Sequence, residues 1–165
     1  MLFRSDHISG GRAIAGLGGA WFDLEHAAHG IEFGSGFGQR LDWLDESAGV
    51  IRSLLDGGEV TYASERYRFE ALRHQPLPVQ RHLPIMIGGG GEKKTLRTVA
   101  RYADQWNVFG DPATVARKDA ILREHCADVG RDEATIERTV GAKIVIRDDE
   151  KHAERVWAEQ MAHKI

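Results

Sequence analysis

Residues 84–95 read PIMIGGGGEKKT, a stretch that joins an apolar run, four glycines and a polar segment. Its apolar start, 84–88, is a short run of the kind that forms a strand buried on both faces. The glycines that follow allow a tight turn, and the apolar positions beyond them predict a helix from about Glu92 to Tyr102. At such a turn, free backbone N–H groups and the helix dipole both favour an anion. Residues 88–95 therefore predict either a phosphate site or, on the local pattern alone, a flexible turn.

Strands and helices alternate along the rest of the chain. We predict strands over Arg12–Gly18, Gln105–Phe109 and Val140–Ile146, helices over Phe37–Leu55, Asp111–Gly130 and 148–163, and a hairpin of Val60–Tyr62 with Arg66–Phe69. Because this alternation favours parallel pairing with right-handed crossovers, the predicted fold class is α/β, with a sheet or a barrel. Ligands of such folds bind at the carboxyl ends of the strands, which would bring Gly18–Gly19, Gly88–Gly91 and Trp106–Asn107 together.

The composition favours a small-molecule partner. The 165 residues include 22 Lys and Arg against 25 Asp and Glu, so the sequence offers no basic surface for nucleic acid. It has no apolar run long enough to span a membrane and no apolar stretch of a signal peptide at its start, so we expect a cytoplasmic protein without membrane contact. The single cysteine, Cys126, follows the apolar stripe of its helix and is predicted to be a core residue.

Two further motifs do not complete the sites that they suggest. Residues 16–21, GLGGAW, begin like a dinucleotide-binding turn, but Trp21 stands at the third glycine position. Glu25, His26 and His29 lack the order and spacing of a zinc-protease motif. We therefore expect no metal site, and a metal hydrolase is the weakest of the functional hypotheses.

Three separated groups of residues carry a family resemblance. They are Asp6–Arg12 with Gly16–Trp21 and Glu25–His26, then Gln39–Leu41, and then Ile87–Gly91 with Thr95–Leu96 and Ala100–Asn107. Together they resemble the bacterial luciferase-like monooxygenase family, most closely its branch that depends on coenzyme F420. The resemblance implies a (β/α)8 TIM barrel that binds F420 or reduced FMN at its C-terminal face. It also implies an oxidoreductase that transfers hydride to, or mono-oxygenates, a small organic substrate.

The resemblance further implies which residues contact the cofactor. These are Gly18, Gly19, Trp21, Glu25, Arg40, Gly89, Gly90, Gly91 and Thr95. The last four would hold the cofactor phosphate together with Arg40, since an arginine suits paired hydrogen bonds with that group. The others would line the cofactor from the neighbouring strand end. No residue is predicted as the catalytic acid or base. In the family, the first three strands supply much of the pocket around the cofactor ring, and these strands are expected to be missing here.

The length departs from the family. A complete barrel takes roughly 250 residues, whereas these 165 residues predict about four βα units and an inserted hairpin. We expect residues 1–165 to form a single luciferase-like domain fragment that lacks the first three βα units and the C-terminal end and is inactive alone. Four parallel strands cannot close a barrel, so the chain is expected either to associate, with a homo-oligomer as one form, or to be marginally stable. The alternative function is a non-catalytic half-barrel that binds a phosphorylated ligand or mediates oligomerisation.

Overall fold

The structure, a computed structural model, describes residues 2–162. Its helices are α1 (Leu2–Ser9), α2 (Asp23–Ala28), α3 (Phe37–Leu55), α4 (Thr95–Tyr102), α5 (Pro112–Asp128) and α6 (Glu150–Ala162). Its strands are β1 (Ala15–Leu17), β2 (Val60–Ala63), β3 (Arg68–Leu72), β4 (Ile85–Gly88), β5 (Gln105–Phe109) and β6 (Glu137–Gly141). The predicted helix end at His163 lies outside the described residues. Within residues 2–162, no helix combines the length and the apolar character that a membrane span requires.

Four strands form one parallel sheet in the order β1-β4-β5-β6. Leu17 lies beside Ile87 where β1 meets β4, and Gly88 lies beside Asn107 where β4 meets β5. Because all these pairs are parallel, the strands end at one common edge, termed here the carboxyl edge. The hairpin β2-β3 is a separate antiparallel pair inserted between α3 and β4. The predicted α/β class, with a parallel sheet and an inserted hairpin, is confirmed.

The core lies between this sheet and helices α3, α4 and α5. Alternate strand residues are buried, at most 2% exposed: Ala15, Ile85, Ile87, Trp106 and Val108. They pack in one cluster with apolar residues of the three helices, among them Leu41, Leu44, Leu96, Val99 and Leu122. Full burial of a large aliphatic side chain contributes about 1.5–3 kcal/mol. Cys126 belongs to the same cluster, as predicted, and burial raises the pKa of its thiol.

A buried carboxylate anchors α1, a helix that the sequence analysis does not predict. Asp6 is fully buried and accepts hydrogen bonds from the backbone and side-chain nitrogens of Gln80, at 3.0 and 2.7 Å. The backbone of Ala13 donates a third, at 3.4 Å. Burial alone would raise the pKa of this carboxyl, but the hydrogen bonds outweigh it and hold the pKa below its ordinary value. Asp6 therefore ties α1 to the segment that leads into β4.

The predicted fourth strand is present but its predicted bounds, Val140–Ile146, are wrong, because β6 spans Glu137–Gly141. Most of the predicted residues lie in irregular chain after β6, where Ile146 is 80% exposed. The true strand is more polar than its apolar neighbour in sequence. Arg138 of β6 forms an ion pair with Asp119 of α5 at 2.8 Å. This pair neutralises the positive charge that β6 carries at the border of the sheet.

The start of α4 is also later than predicted. It lies at Thr95 rather than near Glu92, and residues 92–94 form a turn. The amide of Leu96 donates to the carbonyl of Gly91 at 3.0 Å, which closes this turn and carries the chain from the glycines into the helix. β1 is likewise shorter than predicted, and α2 is not predicted at all.

Candidate cofactor site

Two glycine-containing segments meet at the carboxyl edge of the sheet. Gly18–Gly19 follow β1, and Gly89–Gly91 follow β4, its neighbour in the sheet. Leu41 of α3 lies against both. A Cβ atom placed on Gly19 would be 2.8 Å from Leu41 Cδ2, and one placed on Gly91 would be 3.8 Å from Leu41 Cδ1. The structure therefore brings the two predicted glycine clusters together around one leucine.

Residues 89–92, termed the glycine loop, are bound to the protein through their carbonyl groups. The carbonyl of Gly89 accepts from the indole N–H of Trp106 at 2.8 Å, and that of Gly91 accepts from the amide of Leu96. Trp106 is fully buried, so it supports the loop from the core. As expected, Trp106 and Asn107 lie beside the glycines, since Asn107 pairs with Gly88 and Trp106 donates to Gly89, but the side chain of Trp106 belongs to the core cluster that the helices cover.

Helix α5 supplies donors for the other two carbonyls of the loop. The ammonium group of Lys118 donates to the carbonyl of Gly90. Nε2 of His125 lies 2.7 Å from the carbonyl oxygen of Glu92. A carbonyl oxygen only accepts, so the hydrogen bond requires His125 to carry a proton on Nε2. All four successive carbonyls of residues 89–92 thus have protein donors.

The amides of the loop differ in their availability. Gly89 donates to the carbonyl of Asn107 at 2.9 Å and is engaged. Across residues 2–162, the structure shows no acceptor for the amides of Gly90 and Gly91. Next to Gly91, Thr95 is only 2% exposed, and its Oγ1 would be 2.7 Å from a Cβ placed on that glycine. Two unpaired N–H groups and a nearby hydroxyl, at the start of α4, form a cradle with the donors that an anion requires.

Three side chains set the charge beside the loop. The Glu92 carboxylate lies 2.6 Å from Nη1 of Arg117 and 3.5 Å from Nζ of Lys118. The hydrogen bond from Arg117 holds the pKa of the Glu92 carboxyl below its usual value. The Lys118 side chain is 16% exposed and that of Arg117 is 56% exposed. The exposed cation therefore neutralises Glu92, while the more buried cation lies against the loop.

Arg40 lies at the segment that follows β1. Its Nε donates to the carbonyls of Gly19 and Ala20 at 3.2 and 3.3 Å, and its Nη1 donates to that of Phe33 at 3.2 Å. The guanidinium carbon also lies 3.8 Å from the centroid of the Phe33 ring. No hydrogen bond among the described residues joins Arg40 to the glycine loop. Arg40 shapes the neighbouring wall of the site, and its contact with a phosphate stays a prediction.

The outer part of that wall is exposed. Trp21 is 80% exposed and stacks on Phe22 with ring centroids 5.3 Å apart. Glu25 is exposed on α2, where Nδ1 of His26 and Nδ1 of His29 each lie 2.9 Å from a backbone carbonyl oxygen. No group of three metal-binding side chains occurs in the part of the chain that the structure describes. Trp21 and Glu25, termed here the rim residues, are thus both exposed, and their contacts with a cofactor stay predictions.

A small cavity of about 200 Å³ adjoins this wall and is lined by Gly18, Gly19 and Arg40 among others. A larger groove of about 710 Å³ runs between α3, α4 and β2. Some of its charged groups are paired, as in the contacts of Lys94 with Asp42 at 2.7 Å and of Arg101 with Asp45 at 2.6 Å. We place the candidate site at the carboxyl edge because the unpaired backbone donors lie there.

Lys118 and His125 are not predicted as site residues from the sequence. They stand seven residues apart on α5, so they lie on one face of the helix two turns apart. A lysine and a histidine on one face of the second helix after a glycine cluster could indicate side chains that contact the glycine loop. The sequence alone does not show this, because the inference requires knowing that α5 packs against α4.

Comparison with known proteins gives the family. A family model described as luciferase-like monooxygenase matches residues 5–164. The chain belongs to this family. Among its relatives, an uncharacterized protein of Mycobacterium tuberculosis is 32% identical over 127 residues, which are 77% of this chain and 44% of that protein. Pyrimidine monooxygenase RutA from Stutzerimonas stutzeri is 32% identical over 131 residues, 76% of this chain and 36% of RutA.

A solved structure supports the architecture of the luciferase-like domain. The coenzyme F420-dependent tetrahydromethanopterin reductase from Methanopyrus kandleri matches with a TM-score of 0.73 at 23% identity, over 92% of this chain and 47% of that one. The predicted fold, part of a luciferase-like TIM barrel, is thereby confirmed. The chain spans less than half the length of the curated relatives described above.

Proposed function

We propose that this luciferase-like domain anchors the cofactor of an oxidoreductase that uses F420 or reduced FMN to transfer hydride to, or mono-oxygenate, a small organic substrate. The glycine loop carries the proposal. Its four carbonyls bind protein donors, while the amides of Gly90 and Gly91 have no acceptor in the described chain. The family supports the class of reaction, since one relative is a monooxygenase and one neighbour of the same fold is an F420-dependent reductase.

The residues of the loop fit the anionic end of either cofactor. The amides of Gly90 and Gly91 would donate to the phosphate, and the hydroxyl of Thr95 would add a third donor. A side chain at Gly91 would collide with Thr95 Oγ1 at 2.7 Å, so glycine is what leaves the cradle open. The bound cofactor supplies hydride transfer as F420, or oxygen activation as reduced FMN.

The remaining predicted residues would serve the wall and the rim of the site. Gly18 and Gly19 have no bulky side chain at the end of β1, and Arg40 fixes this segment through the Gly19 carbonyl. We propose that this wall supports the cofactor beyond its phosphate. The exposed Trp21 and Glu25 would contact the cofactor or substrate from the rim, since the ring of Trp21 offers a large apolar surface.

A binding comparison tests this proposal. FMN and riboflavin share one ring system and differ in the phosphate, so their affinity ratio isolates the anion cradle. We expect the protein to bind FMN at least about tenfold more tightly than riboflavin, since charge-assisted hydrogen bonds of this kind are strong. Fluorescence titration measures both constants, and F420 is titrated in the same way. Equal affinity for FMN and riboflavin, with no binding of F420, contradicts the proposal.

A second candidate function is a non-catalytic half-barrel that binds a phosphorylated ligand or pairs with itself. The open sheet favours it, because β1 and β6 are both border strands and Phe109 at the carboxyl edge is 75% exposed. Light scattering on the purified protein decides the assembly, and a monomer contradicts self-pairing. Oxidation of a reduced cofactor with turnover of an organic substrate excludes the non-catalytic alternative.

A further inference from the structure

The peptide groups of the glycine loop link its carbonyl contacts to the direction of its amides. In a planar trans peptide, the carbonyl of one residue and the N–H of the next point in opposite directions. The hydrogen bond from Trp106 to the carbonyl of Gly89 therefore directs the N–H of Gly90 away from the core. In the same way, the hydrogen bond from Lys118 to the carbonyl of Gly90 directs the N–H of Gly91 outward. The side chains that bind the loop carbonyls from the protein side thus orient the N–H groups that would bind a phosphate on the opposite side.

We propose that Lys118 and His125 of α5 are positioning residues of the anion cradle, an inference that rests on the proposed function. Lys118 fixes the peptide group that carries the Gly91 N–H, and it adds a positive charge next to the loop. His125 fixes the next part of the chain through the carbonyl of Glu92, at 2.7 Å. Together they hold the loop from α5, so that an arriving phosphate meets donors that are already oriented.

The position of Lys118 is explained less well by a purely structural ion pair with Glu92 than by its contact with the loop backbone. The Glu92 oxygen that lies 3.5 Å from Lys118 Nζ is only 2.6 Å from Nη1 of Arg117. Glu92 therefore has a closer cation, which is itself exposed. The shorter contact of Lys118 is with the carbonyl of Gly90, and a Cβ atom on Gly90 would be 3.1 Å from Nζ. The geometry assigns the lysine to the loop backbone.

Substitutions on α5 test the inference through the ratio of FMN to riboflavin affinity. Lys118→Met is expected to lower this ratio about tenfold while riboflavin binding stays unchanged, since the ring does not use the cradle. His125→Leu is expected to lower the ratio as well, and His125→Gln to restore most of it, because the glutamine amide can donate to the same carbonyl. Lys93→Met is the matched control, since it removes an equal charge from an exposed lysine beside the loop.

The outcomes separate the two levels of the argument. Wild-type protein that binds FMN and F420 no better than riboflavin overturns the proposed function and this inference with it. Wild-type protein that prefers FMN, with Lys118→Met and His125→Leu leaving the ratio unchanged, overturns only the inference. It is equally overturned if Lys93→Met lowers the ratio as much as Lys118→Met, because the effect is then one of net charge.

A ligand-free measurement keeps the positioning role apart from loss of folding. In ¹H–¹⁵N spectra, Lys118→Met is expected to shift the Gly91 amide resonance and change its hydrogen exchange, whereas Lys93→Met leaves that amide as in wild type. Equal melting temperatures for the two variants support a local effect. A Gly91 amide that is identical in Lys118→Met and wild type overturns the inference.

Discussion

Gly91→Ala tests the packing that keeps the cradle open. The new Cβ atom would lie 2.7 Å from Oγ1 of Thr95, closer than real Cβ contacts, whereas its next neighbours at 3.5 and 3.8 Å are at ordinary distances. Thr95 is 2% exposed in the first turn of α4, so relief of the overlap has to move a buried group. Overpacking of this kind costs about 1–3 kcal/mol. We expect Gly91→Ala to lower the free energy of unfolding by about 2 kcal/mol.

Urea unfolding of a double-mutant cycle measures this effect. Thr95→Ala removes Oγ1, so the further cost of Gly91→Ala in that background should fall below about 0.5 kcal/mol. Gly18→Ala is the matched control, because nothing lies within 4 Å of its Cβ position, and it should change the free energy of unfolding by no more than about 0.5 kcal/mol. An equal cost of Gly91→Ala with and without the Thr95 hydroxyl would contradict the predicted overlap. So would a Gly18→Ala variant that is as unstable as Gly91→Ala.

Three further substitutions test the supports of the fold and of the loop. Asp6→Asn should lower the free energy of unfolding by about 2 kcal/mol at neutral pH, because an amide NH₂ would oppose the N–H donors of Gln80. Folding depresses the pKa of Asp6, so the stability difference between wild type and Asp6→Asn is full above the ordinary pKa of 3.8 and shrinks as the pH falls through the folded-state pKa. Urea titrations across this pH range measure the difference. Arg40→Met should destabilise by about 1–2 kcal/mol and speed amide exchange in the segment after β1; unchanged exchange would contradict its role there. Trp106→Phe should cost about 1–2 kcal/mol in thermal unfolding, because the carbonyl of Gly89 loses its donor, and wild-type stability would disprove that contribution.

The elements that the sequence predicts well are those set by local pattern. The boundaries predicted for Phe37–Leu55 and Gln105–Phe109 match the structure at both ends. In the helix, Leu41, Leu44 and Ala48 recur at the spacing of one helical face and are all buried. A local pattern of this kind does not depend on distant partners, so the boundaries that it predicts remain correct in the folded protein.

The elements that the sequence misses depend on distant partners. α1 is fixed through Asp6 by Gln80, which stands 74 residues further along the chain. The polar strand β6 carries Arg138, whose charge is compensated by Asp119 of α5. Neither pairing leaves a trace in hydrophobic periodicity. The apolar run near Ile146 is therefore a better local match to a strand than the residues that form one.

The candidate site shows the same division. Glycine content and the strand-to-helix order predict the loop, but they give the same prediction for every amide in it. Only the structure distinguishes Gly89, which donates to Asn107, from the two glycines after it. The donors that orient the loop come from Lys118 and His125, and they lie 28 and 33 residues beyond the carbonyls that they bind. No local motif connects groups at such separations.

The division of labour within the loop also bears on cofactor choice. In the proposed site, the donors that would face the ligand are backbone N–H groups and a hydroxyl, which would bind a phosphate without contacting a ring system. Because FMN and F420 both carry a phosphate, one cradle suits either. Selectivity between them would then depend on groups that face the ring, such as the wall shaped by Gly19 and Arg40 and the rim at Trp21. Substitutions of Lys118 should therefore lower the affinities for FMN and F420 by a similar factor, whereas substitutions of Trp21 should alter the ratio of the two affinities. Parallel FMN and F420 titrations of the two variants measure this, and equal losses for both cofactors in the Trp21 variant would argue against a rim that selects the ring.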